Sequence, residues 1–205
     1  MKRAALLLLT SLLLTGCVGP YGGRDTTPTT APDPGNGYAR LDEAGVEQIK
    51  ASRVARLDMV SGRLTKVSVG LEVDAPYAPS VGVEDGTIAL TIEGPNGTVS
   101  AHTDQLTFDT VASEPDFGEV TYFLTADSAD AYYDLIRDGV DRYGIPGEAA
   151  ESWIDSISSR PQDESSFALG PGTSTGLDVT YDLRYDGTKD VQVIIVHVNP
   201  ATFAD

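Results

Sequence analysis

The sequence predicts an α+β domain, in which a mainly antiparallel sheet packs against an N-terminal helix and an inserted helical hairpin. Three observations support this class. Apolar and polar residues alternate over several short segments, which is the period of strands with one buried face. The period becomes helical between residues 129 and 157. Short turns between strands favour antiparallel pairing, and grouped helices favour α+β over a parallel α/β sheet.

The first predicted element is an amphipathic helix over residues 41–59. Its apolar side chains, among them Val46, Ile49, Val54 and Leu57, partly share one face. The helix would therefore cover one side of the sheet.

Strands are predicted next, at 67–73 and 88–93, because apolar residues alternate with polar ones in both. The turn Gly-Pro-Asn-Gly at 94–97 folds the second strand back onto Val99 and Ala101, as in a hairpin. Further strands are predicted at 106–111 and 117–124.

A helical hairpin follows. Its first helix has Asp127 or Ser128 as N-cap and Gly144 as its end, and Pro146 suits the first turn of the second helix, which Pro161 ends. The apolar positions at helical spacing are Ala129, Tyr132, Tyr133, Ile136, Val140, Tyr143, Ala150, Trp153, Ile154 and Ile157.

The chain closes with a predicted strand pair around a turn at Asp186 and Gly187. The first strand, 177–185, directs Leu177, Val179, Tyr181, Leu183 and Tyr185 inward. The second strand, 191–198, is apolar at both parities from 193 to 196, which predicts a position in the middle of the sheet with both faces covered.

The N-terminus has the features of a signal peptide. Lys2 and Arg3 precede an apolar run over 4–14, which reaches only about 16 Å as a helix and is too short to span a bilayer. The run ends in Leu14, Thr15, Gly16 and Cys17, which resembles the lipobox of bacterial prolipoproteins. The resemblance implies cleavage between Gly16 and Cys17 and a lipid-anchored protein outside the cytoplasm, held by acyl chains such as palmitate on Cys17 at the cell membrane, or at an outer membrane if the host has one.

The chain has a single cysteine, so it can form no internal disulfide. An unpaired thiol in an exported protein needs another explanation, and lipidation supplies one. Residues 17–37 are predicted to be a lipidated tether, since 18–37 hold five glycines, four prolines and four threonines. Residues 38–205 are predicted to form one domain. Without Lys2 and Arg3 the chain has 12 basic and 31 acidic residues, a formal charge of −19, which argues against nucleic-acid partners.

No catalytic or cofactor motif is present, so the sequence predicts no cofactor and no metal site. His102 and His197 are the only imidazoles, and a structural or surface role is favoured over general-base or metal chemistry. The segment 170–176 is predicted to be a flexible loop, because no helix or lysine accompanies it as in a phosphate-binding loop. Tyr132, Tyr133, Tyr143 and Trp153, like Tyr181 and Tyr185 of the last strand pair, are predicted to be core residues, with a pocket as the alternative.

Charge placement is uneven: thirteen acidic residues and no Lys or Arg fall between Val67 and Ile136. A solvated acidic surface is the favoured interpretation, and a cation site or a basic partner the alternative. We therefore expect a lipid-anchored, noncatalytic binding or accessory domain. A motif-less envelope hydrolase, or a carrier of an apolar ligand between the sheet and the helical hairpin, are the alternatives.

Overall fold

The computed structural model describes residues 37–110 and 113–201. The chain divides into two units, Met1–Thr30 and Ala31–Asp205, and every described residue belongs to the second. The predicted signal segment, Cys17 and residues 18–36 of the tether lie outside the described residues. The described part is α+β with a sheet-dominated core, as the sequence predicts.

The first helix, α1 (Glu43–Ser52), ends earlier than predicted. The chain leaves it at Arg53, which has a left-handed conformation with φ 59°. It then forms strand β1 (Val54–Asp58), in which Ala55 and Leu57 are buried and their neighbours are not. The prediction is wrong here because alternate residues, rather than every third or fourth, enter the core.

The next segment was predicted to be a strand and is not one. A 3₁₀ turn at Val67–Val69 ends at Gly70, whose φ of 81° is outside the strand region. The side chain of Lys66 is buried and donates from Nζ to the carbonyl oxygens of Val73 (3.3 Å) and Ala75 (2.9 Å). This lysine holds the following loop in place of a strand partner.

The remaining elements form two sheets and two helices. Their bounds are β2 (Val81–Gly82), β3 (Ile88–Glu93), β4 (Thr98–Thr103), β5 (Gln105–Thr110), β6 (Phe117–Ala126), α2 (Ala129–Tyr143), α3 (Gly147–Ser158), β7 (Glu164–Gly172), β8 (Leu177–Asp186) and β9 (Gln192–Pro200). A three-stranded sheet has the order β1-β3-β4, with β1 parallel to β3. A six-stranded antiparallel sheet has the order β2-β5-β6-β9-β8-β7.

The predicted hairpin β3–β4 and the final pair β8–β9 are confirmed. Strand β9 lies inside the sheet, but its outer-face residues Val193, Ile195 and His197 are half-buried rather than covered. Strand β7 was not predicted, and it contains Gly170–Gly172, which were assigned to a loop. Most of β7 is exposed, so its residues show no alternation; pairing with β8 makes it a strand.

The helical hairpin packs on the core face of the larger sheet. Helix α2 begins after Ser128 and ends at Gly144, as predicted, and Pro146 is the N-cap of α3 rather than part of its first turn. The ring of Tyr132 contacts Trp153 and Tyr185, at centroid distances of 6.0 and 6.1 Å. Aromatic side chains thus fill the space between these helices and the sheet.

Candidate functional site

An open groove runs along α2 where the two sheets separate. Two adjoining clefts of about 580 and about 700 Å³ form it, and both are lined by Thr125, Leu135 and Asp138. We call the two clefts together the α2 groove. The β3–β4 hairpin lines one side and the C-terminal end of β6 lines another, while α2 contributes residues along its length. Each cleft falls within the range of about 300–1,000 Å³ that ligand pockets occupy.

Three tyrosines from three elements form the floor: Tyr122 of β6, Tyr143 of α2 and Tyr181 of β8. Tyr143 and Tyr181 meet edge to face, with ring centroids 6.4 Å apart. Helix α2 comes this close because of Gly139, where a Cβ atom would lie 2.6 Å from the Tyr181 ring. A larger residue at 139 would push the helix away and open the floor.

The hydroxyls of this floor differ in their partners. Tyr143 Oη donates to the carbonyl of Ser100 (3.1 Å) and accepts from its N–H (3.3 Å). Tyr122 Oη is fully buried beside the Tyr143 hydroxyl, and burial together with a hydrogen bond to Tyr143 raises its pKa. Burial also raises the pKa of Tyr143 and Tyr181. All three tyrosines are protonated at neutral pH, and none of them serves as a base.

Arg142 is fixed at the inner end of the groove. Its Nη1 lies 3.0 Å from Asp138 Oδ2, and its Nη2 donates to the Ser100 carbonyl (3.2 Å) and hydroxyl (2.5 Å). Burial lowers the pKa of Arg142, but its hydrogen bond to Asp138 outweighs this and the pKa stays above its usual value. Its guanidinium is thus paired with Asp138 and hydrogen-bonded to Ser100 of β4.

The outer part of the groove is acidic. Asp127, Asp134 and Asp138 line it and are exposed. Arg142 is the only Lys or Arg among the described residues that line the groove. The groove therefore favours cationic over anionic groups at its mouth.

A free strand edge borders the groove. Strand β6 pairs with β9 as far as Ala126, but with β5 only as far as Tyr122. The N–H of Phe123 turns away from β9 and donates to Thr103 Oγ1 at 3.2 Å. Residues two apart in a strand direct their N–H and C=O groups to the same side. The backbone N–H and C=O of Thr125 therefore also point away from β9, as those of Phe123 do, and toward the groove. Thr125 is exposed and has no strand partner there.

The two histidines lie apart. His102 is exposed on β4 beside the α2 groove. His197 lies on the outer face of the six-stranded sheet, with Nδ1 2.8 Å from Glu119 Oε1. Burial raises the pKa of Glu119, but hydrogen bonds from Thr121 (2.6 Å) and His197 outweigh it and lower the pKa overall. In the described ranges no three His, Cys, Asp or Glu side chains are grouped to hold a metal ion.

The predicted core role of Tyr132 and Trp153 is confirmed, and Tyr133 is half-buried. Tyr143 and Tyr181 are core residues that also line the groove. The acidic residues considered for a cation site are all exposed: Asp74, Glu84, Asp85, Asp104 and Asp109.

A separate cleft of about 420 Å³ lies at the ends of β7, β8 and β9. Its cations are already paired, Arg184 with Asp182 (2.5 Å) and Lys189 with Asp186 (3.0 Å). The basic side chains of this cleft are therefore engaged with neighbouring carboxylates.

From the sequence, a pocket lined by Tyr143 and Tyr181 was only the alternative to a core role, and the groove itself was not predicted. The Tyr143 hydroxyl bonds to a backbone group 43 residues earlier in the chain, a contact that no local pattern indicates. The edge at Thr125 has no local signal, since it depends on where β5 stops pairing.

No helix in residues 37–110 and 113–201 is long and apolar enough to cross a bilayer. The sequence matches no family model, and neither the curated proteins nor the solved structures contain a match to it.

Proposed function

We propose that this chain is an envelope lipoprotein, attached to the cell membrane through lipid on Cys17, and that its domain binds a partner in the α2 groove without catalysing a reaction. The lipobox residues Leu14 to Cys17 support the anchor. The Gly/Pro/Thr composition of residues 18–37 suits a spacer that holds the domain off the membrane surface.

One observation carries the binding role: the α2 groove contains hydrogen-bonding groups that the fold leaves unused. The backbone of Thr125 lies at an unpaired strand edge. The backbone of His102, in β4, also faces away from its strand partner β3. Unpaired backbone groups at a strand edge recruit other chains, so such edges beside an open cleft favour a partner that supplies the hydrogen bonds.

The hydrolase alternative has one observation in its favour, the orientation of His197 by Glu119. This pair stands on a half-buried sheet face, and neither residue lines any of the clefts described above. The neighbouring Thr121 hydroxyl donates to Glu119, so it is not activated by the histidine as a nucleophile would be. The carrier alternative loses support because Tyr132, Trp153 and Tyr185 fill the space it needs.

The anchor is tested with Cys17→Ser. We expect this variant to lose fatty-acid labelling and to leave the detergent phase, since no other cysteine is available. Ser11→Ala, within the apolar run, is the matched control and should label normally. Continued labelling of Cys17→Ser would contradict the lipoprotein proposal.

The binding role is tested by placing a photo-crosslinking amino acid at Leu135, in the groove, and at Asp141, which is exposed on α2 outside it. We expect a discrete adduct from position 135 in intact cells and none from position 141. Absence of an adduct at 135, or the same adduct at both positions, would contradict a binding role for the α2 groove.

A further inference from the structure

We infer that the α2 groove takes an extended, basic peptide segment of a partner protein, which adds to the free end of β6 as a further strand. The inference rests on the proposed binding role of the groove and names the chemistry of its partner. Four features of the described residues carry it.

The first feature is the edge itself. Thr125 offers one N–H and one C=O toward the groove, at the position where the next strand of the sheet would lie. An extended peptide pairs with such an edge through its main chain, which gives affinity without requiring one particular sequence.

The second feature is a matching edge across the groove. The Gly94 N–H donates to Gly97 O at the hairpin turn, which fixes the parity of β4 and directs the backbone of Ser100 and His102 away from β3. Ser100 is closed off by Tyr143 and Arg142. His102 is exposed beside the groove and has no strand partner on that side. An inserted segment therefore meets backbone groups on both sides.

The third feature is charge. Asp127 and Asp134 line the outer part of the groove, where the third carboxylate, Asp138, is already paired with Arg142. Side chains of an extended segment alternate between two faces. One set would face these carboxylates, which favours Lys or Arg. The other set would face the apolar side chains of Leu124 and Leu135, which favours branched aliphatic residues.

The fourth feature is the floor. It is closed, because the Tyr122 hydroxyl bonds to Tyr143 and the Tyr143 hydroxyl bonds to Ser100, so a seated segment finds its hydrogen bonds at the edges. An oligosaccharide fits less well, because sugars stack on exposed ring faces. Tyr122, Tyr143 and Tyr181 are only 0%, 1% and 1% exposed.

The test is a titration of the full chain in mild detergent, followed by NMR, with three synthetic peptides of about eight residues, roughly 26 Å when extended at ~3.3 Å per residue. One alternates Lys and Val, one alternates Glu and Val, and the third is the Lys/Val peptide with N-methyl groups on alternate residues. We expect the Lys/Val peptide to bind and to shift the resonances of Thr125 and His102. We expect the other two peptides to bind at least about tenfold more weakly, because one is repelled and the other loses its main-chain donors.

Variants locate the contact. Thr125→Pro removes an N–H that the pairing with β9 does not use, and should weaken binding about tenfold. Asp134→Asn should weaken binding about two- to threefold, and the matched Asp141→Asn should leave it unchanged. If Thr125→Pro fails to fold, the N-methylated peptide tests the same hydrogen bond on the unchanged protein.

The inference is overturned if the Glu/Val or the N-methylated peptide binds as well as the Lys/Val peptide, or if Thr125→Pro binds it normally. Resonance shifts caused by an oligosaccharide but by none of the peptides would also overturn it. If the adduct from position 135 forms in cells while no peptide binds, this inference fails and the proposed function stands. If that adduct is absent as well, both fail.

Discussion

The hydroxyl of Tyr143 bonds both backbone groups of Ser100, accepting from its N–H at 3.3 Å and donating to its C=O at 3.1 Å. One side chain of α2 thereby occupies the hydrogen-bonding positions at which another strand would join β4. It also ties the helix to the three-stranded sheet. Edge strands need such protection, because unpaired backbone groups recruit other chains.

Tyr143→Phe should therefore destabilise the domain. It leaves the Ser100 N–H without a partner and the Ser100 carbonyl with Arg142 alone, and we expect a loss of about 1–3 kcal/mol in the free energy of unfolding. Tyr77→Phe is the control, because Tyr77 is 83% exposed. It should change the free energy of unfolding by less than about 0.5 kcal/mol. Urea titrations of both variants measure the difference, and equal destabilisation by the two would contradict this assignment.

Lys66→Met should also be destabilising. The lysine is buried and holds the carbonyls of Val73 and Ala75. Methionine keeps the apolar stem and loses the donors, at a cost of about 2–3 kcal/mol. Lys50→Met, an exposed control paired with Glu47, should change stability by less than about 0.5 kcal/mol. Hydrogen exchange should quicken in residues 71–76 of the Lys66 variant, and unchanged exchange there would argue against its role in holding the loop.

The pKa of Asp186 predicts how the stability of the fold changes with pH. The hydroxyl of Thr188, the ammonium of Lys189 and the Thr188 N–H stabilise its carboxylate and lower its pKa to about 2. Because this folded-state value is below the ordinary value of 3.8, the stabilisation is present above pH 3.8 and is lost as the pH falls toward 2.

We therefore expect Asp186→Asn to lower the melting temperature at pH 7, and to differ less from the wild-type chain as the pH approaches 2. Asp141→Asn corrects for the loss of one negative charge. Melting curves between pH 7 and pH 2 check this expectation. A deficit in Asp186→Asn that stays constant over that range would show that its carboxylate is not selectively stabilised by folding.

Salt should stabilise the domain. Without Lys2 and Arg3 the formal charge of the chain is −19, so folding brings many like charges closer together. At ~0.15 M ionic strength the screening length is about 8 Å, so sodium chloride should raise the melting temperature above its value at very low salt. No change, or a fall, in the melting temperature would contradict this expectation.

We expect calcium to add nothing beyond its ionic strength, because a specific site needs about six to eight converging oxygens. The comparison is a melting curve in sub-millimolar calcium chloride against sodium chloride of equal ionic strength. An extra rise that a chelator reverses would instead favour a cation site among the acidic residues considered from the sequence. They are Asp74, Glu84, Asp85, Asp104 and Asp109.

Several elements were determined by sequence alone, because their signals are local. The caps at Ser128 and Gly144 bound α2 where the helical period starts and stops. The β3–β4 and β8–β9 hairpins follow from a period of two around a short turn. The resemblance of Leu14 to Cys17 to a lipobox is also a local pattern, and both the lipobox and the lipidation stay predictions.

Tertiary structure decided the rest, because pairing between distant segments outweighs local preference. Val54–Asp58 is a strand rather than the end of α1 because it pairs with β3, about 35 residues away. The exposed β7 has no alternation and is a strand because β8 hydrogen-bonds to it. The groove edge at Thr125 exists only because β5 stops pairing with β6 at Tyr122 while β9 continues to Ala126. An unpaired edge is a relation among three strands, and no local sequence pattern encodes it.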